Sequence, residues 1–137
     1  MDSKDNVKNE EGKEMAAAKL PPSISYKDFA KLDIRIGTIE AVDVVPDADK
    51  LLRLTVDLGE QDEEGIAIKR QIISGIREFF DDPQYLVGKQ CPFVANLEPR
   101  TIRGFESQGM IMAASTEAGE FALLNPHVTL PAGTKIN

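Results

Sequence analysis

The sequence predicts an all-β barrel with short helices, on three observations. Apolar and polar residues alternate in several short runs, turn residues punctuate those runs, and a helix-like insertion separates the third run from the fourth. Alternation with a period of two is strand chemistry, and clustered Gly, Pro and Asp mark where the chain turns.

The elements follow in order. Residues 1–22 set Lys4, Lys8, Lys13 and Lys19 against Asp2, Asp5, Glu10, Glu11 and Glu14, with few large apolar side chains before Pro21-Pro22. Such a segment cannot bury enough apolar area to offset its ordering entropy, so a disordered charged tail or linker is expected. Ser25 stands three residues before Asp28, a capping arrangement that predicts a short helix through about Lys31. Ile34, Ile36, Thr38 and Val42 alternate with Arg35, Gly37 and Ile39 as a long strand to about Val45, with a bend expected at Gly37. Pro46-Asp47-Ala48-Asp49 is turn chemistry. Leu52, Leu54, Val56 and Leu58 form a second half-buried strand with Arg53 turned outward, and Gly59–Gly65 is an exposed acidic connection.

A third strand fits Ala67–Ser74. Gly75–Phe80 suits a short helix ended by Asp81-Asp82-Pro83, and Phe79-Phe80 reads as core. Gln90–Ala95 and Met110–Ala114 supply the fourth and fifth strands, and Phe121–Asn137 suits one or two extra strands packed on the body. Five strands with a helical insertion between the third and fourth is the order of the Greek-key OB-fold. In that barrel the loops between strands 1 and 2 and between strands 4 and 5 flank an oligonucleotide-binding face. Pro46–Leu51 and Asn96–Gly109 fall in those two positions. The barrel is expected over 23–114, with an extension over 115–137.

Several function classes are disfavoured. No run approaches a membrane span, and the N-terminus lacks the apolar core of a secretion signal. Cys91 is the single cysteine and sits in an apolar run, which suits a small buried hydrophobe in a reducing cytoplasm. His127 is the single histidine, so neither a triad with Ser107 nor a two-histidine metal site can be assembled within one chain. Asp47/Asp49 and Asp81/Asp82 lie in turn sequences where capping is the usual job, and no phosphate-cradling glycine loop is present. Neither a catalytic residue nor a metal or other cofactor is expected.

Asn96–Met110 is the most informative stretch. It joins two apolar runs and carries Arg100, Arg103, Gly104, Ser107 and Gln108 with no His, Cys or carboxylate pair, a composition for binding rather than catalysis. Arg100 and Arg103 are close enough to reach neighbouring phosphates, and equally suit a solvated pair balanced by Glu98 and Glu106. Lys50 suits a turn lysine neutralised by Asp47 or Asp49 at least as well as a ligand contact. Ser107 divides between donor and turn former, Met110 between core and nucleobase packing, and Asn96 reads first as a turn former. The net charge of −7 weighs against nucleic acid, although local placement of cations decides where a phosphate can sit. Stacking aromatics are scarce, which favours the shape and backbone of a folded RNA over a single strand.

At these residues a resemblance becomes specific. Asp33-Ile34-Arg35-Ile36-Gly37, Pro46-Asp47-Ala48-Asp49-Lys50-Leu51, Ser74-Gly75-Ile76, Asn96-Leu97-Glu98-Pro99-Arg100, Arg103-Gly104 and Ser107-Gln108-Gly109-Met110 stand in order. Over roughly 24–137 the chain resembles the tRNA-binding domain appended to methionyl-tRNA synthetase. That domain is similar to free-standing structure-specific tRNA-binding proteins, the multisynthetase cofactors and the CsaA chaperones. The resemblance implies tRNA contacts at Lys50, Asn96, Arg100, Arg103, Ser107 and Met110, partnership with a methionyl-tRNA synthetase, and a homodimer supported by the closing segment. It also implies two rivals, a CsaA-like dimer that binds unfolded peptide and a module that docks a synthetase. Thr101-Ile102 stands where the family often has a basic pair, and with the acidic connection this implies weaker RNA binding than is usual in the family.

Overall fold

The computed structural model describes residues 20–137. The expected tail therefore lies outside the described residues up to position 19, and Leu20–Pro22 are exposed. Helix α1 spans only Tyr26–Phe29, with the Ser25 hydroxyl accepting from the Asp28 amide at 3.1 Å. It stops before Lys31 because the chain is pulled toward the sheet. The Asn96 side chain accepts from the Asp33 amide at 2.9 Å and donates to the Lys31 carbonyl at 2.7 Å.

Five strands, β1 (Ile34–Val44), β2 (Leu52–Gln61), β3 (Ala67–Ser74), β4 (Gln90–Val94) and β7 (Met110–Ile111), form one antiparallel sheet in the order β3-β2-β1-β4-β7. The sheet curls as an OB-like all-β fold should. Its edges meet where the Gln108 amide donates to the Gln71 carbonyl at 2.8 Å and the Ile73 amide donates to the Ser107 hydroxyl at 3.0 Å. Leu52, Leu54, Val56 and Leu58 are all fully buried, as their alternation predicts. Cys91 is buried too, and burial pushes its thiol up to about 11, so it behaves as an inert hydrophobe.

The phase of β1 differs from the expectation. Ile39 is fully buried and Thr38 only half-buried, because a register shift between Ile39 and Ala41 admits one extra residue, Glu40. The bend therefore sits at Glu40. Gly37 serves packing instead: a Cβ there would stand 2.8 Å from side-chain atoms of Val56, Leu58 and Phe93. Ile34 and Ile36 are also buried, and residues 133–136 run along their edge of the strand. The Gly133 amide donates to the Ile36 carbonyl at 2.7 Å, the Ile36 amide to the Thr134 carbonyl at 2.8 Å, and the Ile136 amide to the Ile34 carbonyl at 2.8 Å.

The insertion is two 3-10 turns, Arg77–Phe79 and Pro83–Leu86, rather than one short helix. Pro83 opens the second turn instead of ending the first, since the first position of a turn needs no amide donor. Asp82 caps it by accepting from the Gln84 amide at 3.0 Å. Phe80 packs against the core, whereas Phe79 is exposed and stacks on Phe121 with ring centroids 4.2 Å apart. The expected fifth strand is split. Met110–Ile111 pairs with β4, and β8 (Ala113–Ser115) pairs with β9 (Phe121–Leu123). The ladder fails at Pro92, which accepts from the Met112 amide at 3.0 Å but has no N–H to return.

Candidate nucleic-acid interface

The polar loop after β4 is a hairpin, β5 (Arg100–Ile102) against β6 (Phe105–Ser107). Arg103 and Gly104 turn it with φ of 51° and 84°, the left-handed pair that a tight hairpin turn requires. Its tip meets the turn between β1 and β2. Arg103 donates from Nη1 to the Asp47 carbonyl at 3.3 Å, and Arg77, from the insertion, donates to the neighbouring Ala48 carbonyl at 3.3 Å. The Arg77 amide also bonds the Lys50 carbonyl at 3.2 Å. Arg53 lies with its guanidinium 5.2 Å from the centre of the Phe105 ring while pairing with Asp43 at 3.3 Å. Arg53 is thus part of this surface.

Cations gather at this end of the barrel, whereas Lys27, Lys89 and Lys135, also without an ion pair among the described residues, lie on other elements. Among the described residues, Lys50, Arg77, Arg100 and Arg103 make no ion pair, although Asp47 and Asp49 occupy the same turn as Lys50. A groove of about 700 Å³ beside the stem of this hairpin segment is lined by Arg35, Lys69, Arg70, Gln61 and Leu97. Its cations are already neutralised: Arg35 by Asp33 at 2.9 Å, Lys69 by Glu40 at 3.0 Å and Asp57 at 3.3 Å, and Arg70 by Glu60 at 2.6 Å. A phosphate gains little there and more at the hairpin end.

The paired carboxyls carry a pH consequence. Hydrogen bonds from Arg35 and Arg70 hold Asp33 and Glu60 below their ordinary values of 3.8 and 4.5. Both groups bind protons less readily folded than unfolded, so their stabilisation is present above those ordinary values and is lost as pH falls through the lowered ones. The thermal midpoint should therefore fall as pH drops below about 4, and Glu60→Gln should flatten part of that fall in a calorimetric pH series.

The six sequence-predicted contacts divide. Lys50, Arg100 and Arg103 are exposed, and Met110 is 47% exposed. Asn96 spends both ends of its amide on Lys31 and Asp33, which positions the root of the loop. Ser107 is 5% exposed, and its hydroxyl accepts from Ile73 and donates to the Gly109 carbonyl at 3.2 Å. Ser107 closes the barrel and has no donor left for a ligand. Ser107→Ala strands the Ile73 amide in a buried setting at a cost of about 1–3 kcal/mol, and thermal unfolding should show a loss of several degrees. Arg53 and Arg77 escaped the sequence reading, because their places depend on Phe105 and on the Asp47–Ala48 turn.

Comparison with known proteins identifies the family. A family model described as "Putative tRNA binding domain" matches residues 34–135. A methionine–tRNA ligase of Deinococcus radiodurans is 47% identical over 113 residues, covering 82% of this chain and 15% of the ligase; this chain thus spans a small part of that relative's length. A MetRS related protein from Pyrococcus horikoshii superposes with a TM-score of 0.75 at 30% identity, over 85% of this chain and 99% of that one. The chaperone CsaA from Bacillus anthracis superposes with a TM-score of 0.70 at 34% identity, over 85% of this chain and all of the other. With more than half its residues inside the matched model and an OB-like barrel beneath them, the chain belongs to the tRNA-binding domain family.

Proposed function

We propose that this chain binds folded tRNA at the hairpin end of the barrel, largely without reading base sequence, and so assists a methionyl-tRNA synthetase while doing no chemistry itself. The observation that carries this reading is the grouping of Lys50, Arg77 and Arg103 around one turn, with Arg100 on the same hairpin and no carboxylate partner for any of them among the described residues. Unpaired cations on separate, rigidly held elements match phosphates of a folded backbone. Arg53 and Phe105 add a flat surface on which a sugar or base can rest. Met110, exposed at the start of β7, offers an apolar side chain for nucleobase packing, and Asn96 and Ser107 act by holding the loop.

A homodimer completes the proposal. The side chains of Ile24, Tyr26, Phe29 and Leu32 on and around α1 are exposed, and α1 buries none of its residues. Leu124 and Val128 of the extension are exposed as well. A second copy would cover such apolar area.

The likeness to CsaA makes an unfolded-peptide groove the reading to test against. Labelled tRNA bound to the purified chain should resist competition by an unfolded presecretory peptide and yield to unlabelled tRNA. Displacement by peptide at comparable concentration would favour the chaperone reading, and absence of tRNA binding would favour docking to a synthetase.

A further inference from the structure

Arg70 lies outside the cationic cluster, yet it touches both ends of the hairpin segment. Its Nε and Nη2 donate to the two Glu60 carboxyl oxygens at 2.8 and 2.6 Å. Its Nη1 donates to the Ala95 carbonyl at 2.5 Å and to the Gln108 carbonyl at 3.0 Å. Ala95 is the residue that enters the segment carrying Arg100 and Arg103, and Gln108 is among those that leave it. One planar guanidinium therefore pins both stems, while a carboxylate on the neighbouring strand β2 fixes the plane.

The neighbouring bonds extend the clamp along one side. The Gln108 side chain accepts from the Gln71 amide at 2.9 Å, and the Gln71 side chain donates to the Glu106 carbonyl at 2.9 Å. The β5–β6 pairing is only three residues long, from Arg100↔Ser107 to Ile102↔Phe105. A two-stranded ribbon of that length is marginal by itself, so its direction relative to the barrel depends on what holds its stems.

We infer that Arg70 is a positioning residue for ligand recognition: its bidentate grip on Glu60 and its bonds to Ala95 and Gln108 set the angle at which the hairpin presents Arg100 and Arg103. This rests on the reading of the hairpin as the tRNA surface. Arg70 is already neutralised by Glu60, so it displaces no counterion from a phosphate. Loss of the clamp should weaken binding through misalignment and leave the salt dependence as it was.

The test uses Arg70→Lys, which keeps the charge but cannot reach two carbonyls and a carboxylate together, and Glu60→Gln, which keeps the carbonyl bonds and loses the ionic brace. Both are measured with the full chain and a bulk tRNA, well below the unfolding midpoint, with affinity counted per folded molecule. Arg70→Lys should bind roughly tenfold more weakly with an unchanged slope of log affinity against log salt, and Glu60→Gln should lose less. Amide hydrogen exchange at Gln108 and Ile73 should quicken in Arg70→Lys, a readout that needs no RNA.

A reduced salt slope in Arg70→Lys would make Arg70 a phosphate contact and overturn the inference, as would full affinity together with quickened exchange. If the parent chain binds no tRNA, the functional reading fails by itself, and unaltered exchange at Gln108 and Ile73 would then sink the clamp independently. Should Arg70→Lys not fold, Glu60→Gln decides: an affinity loss at constant slope supports the clamp, and wild-type affinity rejects it.

Discussion

Gly133→Ala should release the C-terminal segment from the barrel and lower the thermal midpoint by about 10 °C. Gly133 has φ of +91°, and a Cβ there would run into the Leu58 carbonyl oxygen of β2. Gly59, at φ +75°, faces it, and a Cβ on Gly59 would run into the Ala132 carbonyl oxygen. Two backbones cross here with no room for a side chain on either. Left-handed strain costs about 1–2 kcal/mol, and overpacking against backbone that cannot retreat adds about 1–3 kcal/mol. Gly119→Ala supplies the comparison, since Gly119 has φ of +99° but nothing within 4 Å of its added Cβ. Its loss should be the strain alone. In Gly133→Ala the Ile36 amide, now bonded to Thr134, should lose its protection from hydrogen exchange. If the extension supports the dimer, light scattering should report the loss of about twice the 15.0 kDa chain mass. Equal midpoints for the Gly133 and Gly119 variants, with the Ile36 amide still protected, would show that the crossing yields easily.

What could be read from the sequence was what depends on near neighbours. Leu52, Leu54, Val56 and Leu58 declare their strand because one face is buried along its whole length. Serine at position 25 declares its cap because its partner is three residues away. The phase of β1 is hidden because the bulge at Glu40 shifts the alternation, and because Ile34 and Ile36 are buried although Ile39, of opposite parity, is buried too. The hairpin looks like a plain loop in the sequence because its strands are three residues each and its turn is Arg-Gly, not the usual Asn-Gly. Ser107 is ambiguous in the sequence for a related reason. A hydroxyl before a glycine suits a ligand or a turn, and only the fold brings the Ile73 amide, 34 positions away, onto it. The cations divide the same way: Arg100 and Arg103 were visible as a local pair, whereas Arg53 and Arg77 join the surface only through tertiary contacts.

Arg100→Ala and Arg103→Ala should each weaken every tRNA by a similar factor and make the salt dependence of binding shallower. Each phosphate contact releases about 0.7–0.9 of a counterion, so each variant should lose about one unit of slope. Neither guanidinium has a carboxylate partner among the described residues, so each is available to phosphate in full charge. Arg103 should show the larger loss. Its side chain also ties the hairpin tip to the Asp47 carbonyl, so affinity falls through geometry as well as charge. Met110→Ala should lower affinity with the slope intact, because a thioether displaces no counterion. Arg53→Ala, which removes the group stacked on Phe105, should weaken binding with a smaller change in slope, since Asp43 already meets part of its charge. Lys27→Ala, on α1 and exposed, is the control and should change neither quantity. A barrel that was merely destabilised would lose affinity in every variant without this division of slopes. Wild-type affinity and wild-type slope in both arginine variants would remove the hairpin as the RNA surface and leave the peptide-binding or docking reading to account for the family's fold.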